Sequence, residues 1–475
     1  MTLRDLMGDG PEVEVRDLAY SSRSVAPGAL FFCVRGFSAD GHRFAPDAVE
    51  RGAVALVCER PLGLGVPEVI VPDARAAMGP AAARFFGDPT SELGVVGITG
   101  TNGKTTTAYL VRAVLEAAGT PTGLLGTVAS VVGGREEPVE RTTPEAIDLQ
   151  RLLGRMRDAG DRTCAMEVSS HALELGRAEG IRFAARVFTN LTQDHLDFHP
   201  TMEDYYRAKR RLFDGPGASV VNADDPYGRR LAGELEGAAT TFAIEAEADI
   251  RAREVAFDTA GAAFRCETPE GEVEIAMGLP GLFNVRNALA AVGAARALGL
   301  DLEAIARGLA SARRVPGRFE PVDEGQDFAV LVDYAHTPDS LENVLRAARP
   351  ITAGRLHVVF GAGGDRDRGK RPLMGAVATE LADRVIVTSD NPRSEDPESI
   401  VEEILAGAGR ATQRELDRRA AILMAVESAE PGDVVVVAGK GHEQGQELAG
   451  GRKEPFDDVV VVRESLRARA EAAAR

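Results

Sequence analysis

At 475 residues, 44% hydrophobic and 27% charged, the chain has the composition of an ordinary globular protein of about two to four domains. Its formal net charge of −18 disfavours a general nucleic-acid binder but leaves room for a local basic pocket. No run of about 18 apolar residues offers a membrane span, the N-terminal MTLRDLMGDGPEVEV lacks the apolar core of a secretory signal, and Cys33, Cys58, Cys164 and Cys266 are scattered like small buried hydrophobes of a reducing cytosol.

In chain order, Leu18–Tyr20, Ala29–Val34, Val54–Cys58 and Val69–Val71 read as strands separated by turn residues. Asp73–Phe86 is alanine-rich and helical in pattern, with Gly79-Pro80 predicted to interrupt it, and Asp88-Pro89-Thr90-Ser91 reads as a linker. A second unit opens with the apolar run Leu93–Thr99. A helix over Lys104–Ala118 follows, which Gly119 and Pro121 stop. Thr163–Val168, Arg186–Thr189 and Ala218–Asn222 resemble buried parallel strands. A third unit begins near Arg313–Arg318 and alternates the strands Ala329–Tyr334, Leu356–Phe360, Arg384–Thr388 and Asp433–Val437 with helical stretches. The tail from Glu464 to Arg475 reads as helix. Alternation of strand and helix predicts an α/β protein with layered parallel sheets.

The junction VVGITGTNGKTTT (Val95–Thr107) carries the first chemistry. Strand, glycine-rich turn and helix follow one another, so backbone N–H groups across Gly100, Thr101, Asn102 and Gly103 point at one spot, and the helix N-terminus adds partial positive charge. Lys104 supplies a full charge for β- and γ-phosphates, and the Thr105 hydroxyl is placed for Mg²⁺. The usual phosphate loop wants a glycine where Ile98 stands. Further on, Glu167 and Asp194-His195 follow candidate strands and would converge on a ligand crevice. His195 reads equally as a cation ligand or as an ordinary buried histidine. In PTMEDYYRAKRRLFDG, Thr201 and Asp204 form a capping-box pattern, and Lys209 shares a buried stripe with Tyr205, Ala208 and Leu212. Such a lysine needs an anionic partner, must lose its charge, or is a stem that snorkels.

The shortened loop G-T-N-G-K-T-T (Gly100–Thr106) resembles that of the Mur ligases and folylpolyglutamate synthetases, ATP-dependent amide-forming enzymes in which the distal glycine is absent. That resemblance implies ATP held by Gly100 through Thr106, a Glu167–His195 pair serving a second Mg²⁺, and, from the match of Tyr205–Lys209 to Y-x-x-A-K, a Lys209 carbamylated by CO₂ that helps position that ion. GLFNVRNALAA implies Asn287 near adenine and ribose, while VPGRFE and VDYAHTPDS imply Arg318 and Asp333 reaching over the nucleotide from a hinged third domain. TSDNPRSEDP resembles the D-N-P-R signature of the branch that adds meso-diaminopimelate to UDP-N-acetylmuramoyl-L-alanyl-D-glutamate. An arginine on a rigid Asn-Pro turn suits a bidentate grip on the second carboxylate, which lysine lacks. The resemblance therefore implies Asp390, Asn391, Pro392 and Arg393, with Arg366, Gly439 and Glu443, around diaminopimelate. It places Tyr20, Ser22, Phe37, Ser38 and Ala39 at the uridine diphosphate end, and Thr142, Thr143, Ser169 and Arg177 nearer the peptide. Tyr20-Ser21 and Leu175 depart from relatives at substrate positions.

As a whole the resemblance implies a three-domain architecture: a UDP-sugar-binding domain over 1–89, a central P-loop parallel-sheet domain over 90–312, and a Rossmann-like, amino-acid-binding domain over 313–475. It implies a cytoplasmic monomer that makes peptidoglycan precursor through an acyl phosphate, with no nucleic-acid or membrane partner. The alternatives are a lysine-adding or folylpolyglutamate-type ligase, or a P-loop ATPase that only switches shape.

Overall fold

The structure is a computed structural model, described for residues 1–36, 39–139, 141–258 and 260–473. Its first sheet has four parallel strands in sequence order, Asp17–Ala19, Ala29–Phe32, Ala55–Cys58 and Glu68–Ile70. The two inner strands are buried throughout, which explains why their sequences are continuous apolar runs rather than alternating ones. A helix over Leu3–Met7, absent from the sequence reading, is closed by a capping box between Thr2 and Asp5.

Gly79-Pro80 does not interrupt its helix, which runs unbroken over Ala74–Phe85. Ala74, Met78, Ala81 and Ala82 are buried in the N-terminal core, and a Cβ on Gly79 would collide with the Glu179 carbonyl of the central unit. Packing on both sides holds a turn that local propensity would break. The expected linker is likewise tied down: Pro89–Ser91 forms a 3₁₀ turn, and buried Thr90 accepts a hydrogen bond from Arg182 N at 3.2 Å.

The central sheet has eleven strands. Its middle is parallel, in the order Ala239–Ala243, Ala218–Asn222, Phe183–Phe188, Gly94–Thr99, Thr163–Glu167, Thr122–Leu125. The expected parallel sheet is extended at both rims by antiparallel strands. On one side Ile250–Phe257, Ala262–Thr268 and Gly271–Met277 pair antiparallel; on the other Thr122–Leu125, Ser130–Val132 and Arg135–Glu137 do so. Ile250–Phe257 alternates more and less buried residues, as a strand with one face toward water does, whereas Ser130–Val132 is buried throughout. The third sheet runs Glu320–Pro321, Ala329–Asp333, Val434–Ala438, Leu356–Phe360, Arg384–Val387, Gln413–Arg414, parallel except for the first strand. The helix expected in the tail spans Asp458–Ala473. All four cysteines are free and buried. Among the described residues no helix is long and apolar enough to cross a membrane.

Candidate active site

The phosphate-type loop leaves the carboxyl end of the Gly94–Thr99 strand and enters the Lys104–Ala117 helix through Gly103, whose φ of 85° suits glycine. A Cβ on Gly103 would strike Asn287 Oδ1, and one on Gly100 would strike Thr189 Oγ1. Gly103→Ala is therefore expected to destabilise the protein by roughly 1–3 kcal/mol and to raise the KM for ATP, checked by denaturant melts and initial rates. Not every loop N–H is offered to a ligand. Thr101 N and Asn102 N donate to the carbonyl and side-chain oxygens of Asn190 at 3.0 and 2.9 Å. This narrows the expected cradle to the groups from Gly103 onward, at the helix N-terminus.

Lys104 folds back, donating to the carbonyls of Gly100 (2.9 Å) and Thr101 (2.8 Å). Burial lowers its pKa, and the charges of Glu167 and Asp194 oppose that shift. Thr105 Oγ1 donates to Glu167 Oε2 at 3.0 Å and accepts from Arg318 Nη2 at 3.1 Å. The Glu167 carboxylate also accepts Thr127 N at 2.7 Å and Thr127 Oγ1 at 3.1 Å. Arg318, whose guanidinium lies over the Tyr334 ring, thus reaches the loop from the start of the third sheet unit.

Lys209 is fully buried on the Met202–Arg210 helix and donates to the same Gly100 carbonyl at 2.8 Å. Burial, then the charge of Lys104, holds its amine well below the ordinary lysine range. Thr201 caps that helix by accepting Asp204 N, but Asp204 accepts from the Thr201 hydroxyl, so the capping box is only half formed. His195 has a φ of 56° and its backbone N donates to Asp194 Oδ1. Burial lowers the proton affinity of its imidazole, against the pull of Asp194. Asn287 is turned to its own helix, donating to Asn284 Oδ1 and accepting weakly from Thr107. Burial raises Asp333 to about 6, with Arg318 and the N–H of Phe319 opposing.

A cavity of about 810 Å³ joins these groups. It is lined by Thr101 to Thr106, Glu167, His195, Lys209, Asn287, Arg318 and Asp333, together with Thr142, Thr143, Ser169, Arg177, Leu175 and Arg366. Thr143 Oγ1 donates to the Glu167 carbonyl, and Arg177 is held by Glu145 and the Thr143 carbonyl. Tyr20 lies outside it, in an adjoining cavity of about 270 Å³ that shares Arg141 and Thr142 with the first. There its hydroxyl donates to Asp148 Oδ2 at 2.6 Å. Ser22 is buried on a short 3₁₀ turn away from both cavities, and Ala39 is exposed. Phe37 and Ser38 lie outside the described residues.

Several of the residues expected around diaminopimelate form a second cluster, which Tyr334 joins to the cavity. Asp390–Arg393 follows the Arg384–Val387 strand, and Gly439–Glu443 follows Val434–Ala438. Arg393, at a φ of 51°, donates from Nε to Glu447 Oε2 and from Nη1 to the Gly364 carbonyl, both at 2.8 Å. No hydrogen bond is recorded at its Nη2 among the described residues. Asn391 Nδ2 donates to Glu443 Oε2 at 2.8 Å. Gly439, at a φ of 120°, passes so close to Asp390 that a Cβ would stand 2.5 Å from Oδ2. Tyr334 lines the large cavity and its hydroxyl lies 3.4 Å from Glu443 Oε1, so it bridges the clusters. Arg366 lines the cavity, and its stem and the Arg393 guanidinium both lie against Gly363.

Sequence reasoning missed Asp339. Its Oδ2 accepts Asn102 Nδ2 at 2.6 Å and Thr192 Oγ1 at 3.3 Å, fastening the third sheet unit to the loop. The only signal was its place within VDYAHTPDS, at the start of the Pro338–Ala348 helix.

With this geometry described, comparison with known proteins is informative. Three family models match in order: "Mur ligase family, catalytic domain" over residues 14–85, "Mur ligase middle domain" over 98–295, and "Mur ligase, glutamate ligase domain" over 317–441. A UDP-N-acetylmuramoyl-L-alanyl-D-glutamate--2,6-diaminopimelate ligase from Geobacillus thermodenitrificans is 48% identical, covering 97% of this chain and 96% of the relative. One of the same name from Solibacter usitatus is also 48% identical, over 98% and 96%. A solved structure of a ligase with that name superposes with a TM-score of 0.72 at 33% identity, covering 99% of both chains. A MurF ligase from Thermotoga maritima in complex with ADP shares the fold, with a TM-score of 0.67 at 19% identity over 98% of this chain and 100% of that one. The chain belongs to the Mur ligase family.

Proposed function

We propose that the chain is an ATP-dependent ligase that joins meso-2,6-diaminopimelate to the D-glutamate of UDP-N-acetylmuramoyl-L-alanyl-D-glutamate. One observation carries the reading: a phosphate loop opens into a cavity that Tyr334 and Glu443 join to a D-N-P-R turn, whose guanidinium is braced at Nε and Nη1 with no hydrogen bond at Nη2 among the described residues. The names of relatives 48% identical along nearly the whole chain support it. Residues 1–89 would hold the UDP end, 90–312 the ATP, and 313–475 the amino acid, each division enclosing one of the three main sheets. We place the reaction in the cytoplasm, where peptidoglycan precursor would be made from these small molecules.

The stable side-chain carboxylate of D-glutamate must first be activated. The γ-phosphoryl passes to that carboxylate, ADP leaves, and the neutral amine of diaminopimelate attacks the acyl carbon. Its electron pair forms the amide as phosphate departs and the amine loses a proton. Lys104 would leave its two carbonyls to neutralise phosphate oxygens. The Thr105 hydroxyl and the Glu167 carboxylate, 3.0 Å apart, are oxygen donors of the kind Mg²⁺ takes. They, with the His195 ring, would hold two Mg²⁺ ions that screen the like charges of carboxylate and triphosphate. The lowered pKa of Lys209 suits carbamylation, because only a neutral amine adds CO₂. Asn287, Arg318 and Asp333 would bind the nucleoside side. Thr142, Thr143, Ser169 and Arg177 would bind the peptide, Tyr20 and Ser22 the uridine end, and Arg366, Asn391, Arg393, Gly439 and Glu443 the diamino acid.

The test is ADP release with UDP-N-acetylmuramoyl-dipeptide and either diaminopimelate, lysine or no amine. Diaminopimelate should exceed lysine by about 100-fold, since lysine would leave Arg393 desolvated and unpaired. Equal rates would favour a lysine-adding ligase, and turnover without any acceptor would favour an ATPase switch.

A further inference from the structure

Lys440 has no role in the account above, yet it is fully buried in the Gly439–Glu443 loop. Its ammonium donates to Asn391 Oδ1 at 2.8 Å and to Glu443 Oε2 at 3.1 Å, and lies 3.6 Å from Asp390 Oδ1. An ammonium has three donors and no acceptor, so whatever faces it must present oxygen. Asn391 Oδ1 also accepts Glu447 N at 2.9 Å. Both its lone pairs are therefore filled, and the amide cannot flip without setting two N–H donors against its own NH₂ group. Nδ2 must point away, and it donates to Glu443 Oε2. That oxygen then has two donors, whereas Oε1 has only the Tyr334 hydroxyl at the long distance of 3.4 Å. The glutamate is thus fixed with its less satisfied oxygen on the side of Tyr334, which lines the large cavity.

The loop is built to permit this. Gly439 passes against Asp390, and Gly441, at a φ of 54°, passes against Tyr334 and the Gly317 carbonyl, so a Cβ on either would collide. Between them Lys440 is threaded under the cluster rather than out to solvent.

We propose that Lys440 is a positioning residue that locks Asn391 and Glu443 in the orientation that receives the amino and carboxylate groups of the incoming diamino acid. The proposal rests on the function given above and deepens it. Lys440 touches no substrate; it fixes the rotamer of Asn391 and leaves Glu443 Oε1 as the acceptor for an ammonium.

Lys440→Met should raise the KM for diaminopimelate about 30-fold while leaving the KM for ATP and for the UDP-dipeptide within about twofold, as expected when one partner of a buried charge pair is removed. Lys440→Gln, which keeps an N–H toward Asn391, should give an intermediate rise. Because Lys440 acts through Glu443, Lys440→Met combined with Glu443→Gln should be no worse than the more damaging single change. Three results would overturn the proposal: a diaminopimelate KM within about threefold of wild type in Lys440→Met, effects that multiply in the double variant, or loss of a cooperative melt in both single variants. Wild-type protein that forms no amide with diaminopimelate would instead refute the functional reading, and this proposal with it.

Discussion

Arg393→Ala is expected to lower kcat/KM for diaminopimelate by at least about 100-fold while leaving the KM for ATP nearly unchanged, the loss appropriate to removing a charge-assisted contact. The structure explains why so large an effect should come from one side chain. The guanidinium is held before any substrate arrives, by Glu447 at Nε and by the Gly364 carbonyl at Nη1. Its backbone is held too, with Arg393 N donating to the Glu447 carbonyl at 3.0 Å. A left-handed φ at a residue with a Cβ is unfavourable, and it persists because the turn around it is over-determined. Beneath the turn, buried Arg371 donates to Glu395 at 2.8 and 2.9 Å and to Glu403 at 2.8 Å, tying the 361–369 loop to the segment after Arg393. Little ordering remains for the substrate to complete. Initial rates with diaminopimelate and with lysine check this. Lysine should gain relative to diaminopimelate in the variant, because the unpaired cation that penalised it is gone. Selectivity unchanged by the substitution would remove the basis for assigning the amino acid.

Lys209→Ala is expected to reduce kcat by about 100-fold or more, the scale seen when a preorganised charge at a reacting centre is removed. Two amines, Lys104 and Lys209, converge on the Gly100 carbonyl; burial lowers the proton affinity of both, and the charge of Lys104 lowers that of Lys209 further. As an ammonium, Lys209 would add a second positive charge beside Lys104 on the same carbonyl oxygen. As a carbamate it would supply the anion that the cations lack. Wild-type activity should therefore fall in buffer stripped of bicarbonate and return on its addition, while Lys209→Ala should respond to neither. The depressed pKa fixes the direction with pH: the neutral, reactive fraction of the amine grows as pH rises through the folded-state value, which lies below that of a free lysine. Full activity in Lys209→Ala would exclude the carbamate.

Much of this architecture is legible in the sequence, for identifiable reasons. Leu356–Phe360 and Ala218–Asn222 have the expected bounds because buried parallel strands are short β-branched runs with abrupt polar ends. The phosphate loop is legible because its glycines answer to local backbone demands. What depends on remote partners is not. Pro80 stays inside a helix packed on the N-terminal core, where Gly79 lies against Glu179, a hundred residues on in the chain. Asn190 takes two loop N–H groups from a neighbouring strand end, which no local pattern announces. Asp339 and Lys440 lie within motifs that drew attention to other residues, and their work is visible only once Asn102 and Asn391 are placed against them. The rim strands from Ile250 to Met277 escaped notice because alternating charge and small apolar residues look like loop until three of them pair.

Those rims have one more consequence. A sheet of eleven strands ends in two rows of backbone groups with no further strand beside them, and such rows invite pairing with another copy of the chain. Here the last strand on one side carries exposed Glu272 and Glu274, and on the other Arg135 and Glu136 stand exposed on a strand of only three residues. Like charges brought together by stacking the longer rim on itself would repel, and the shorter one offers too few bonds to hold a partner. The width of the central layer is thereby kept from becoming a route to fibrous self-association.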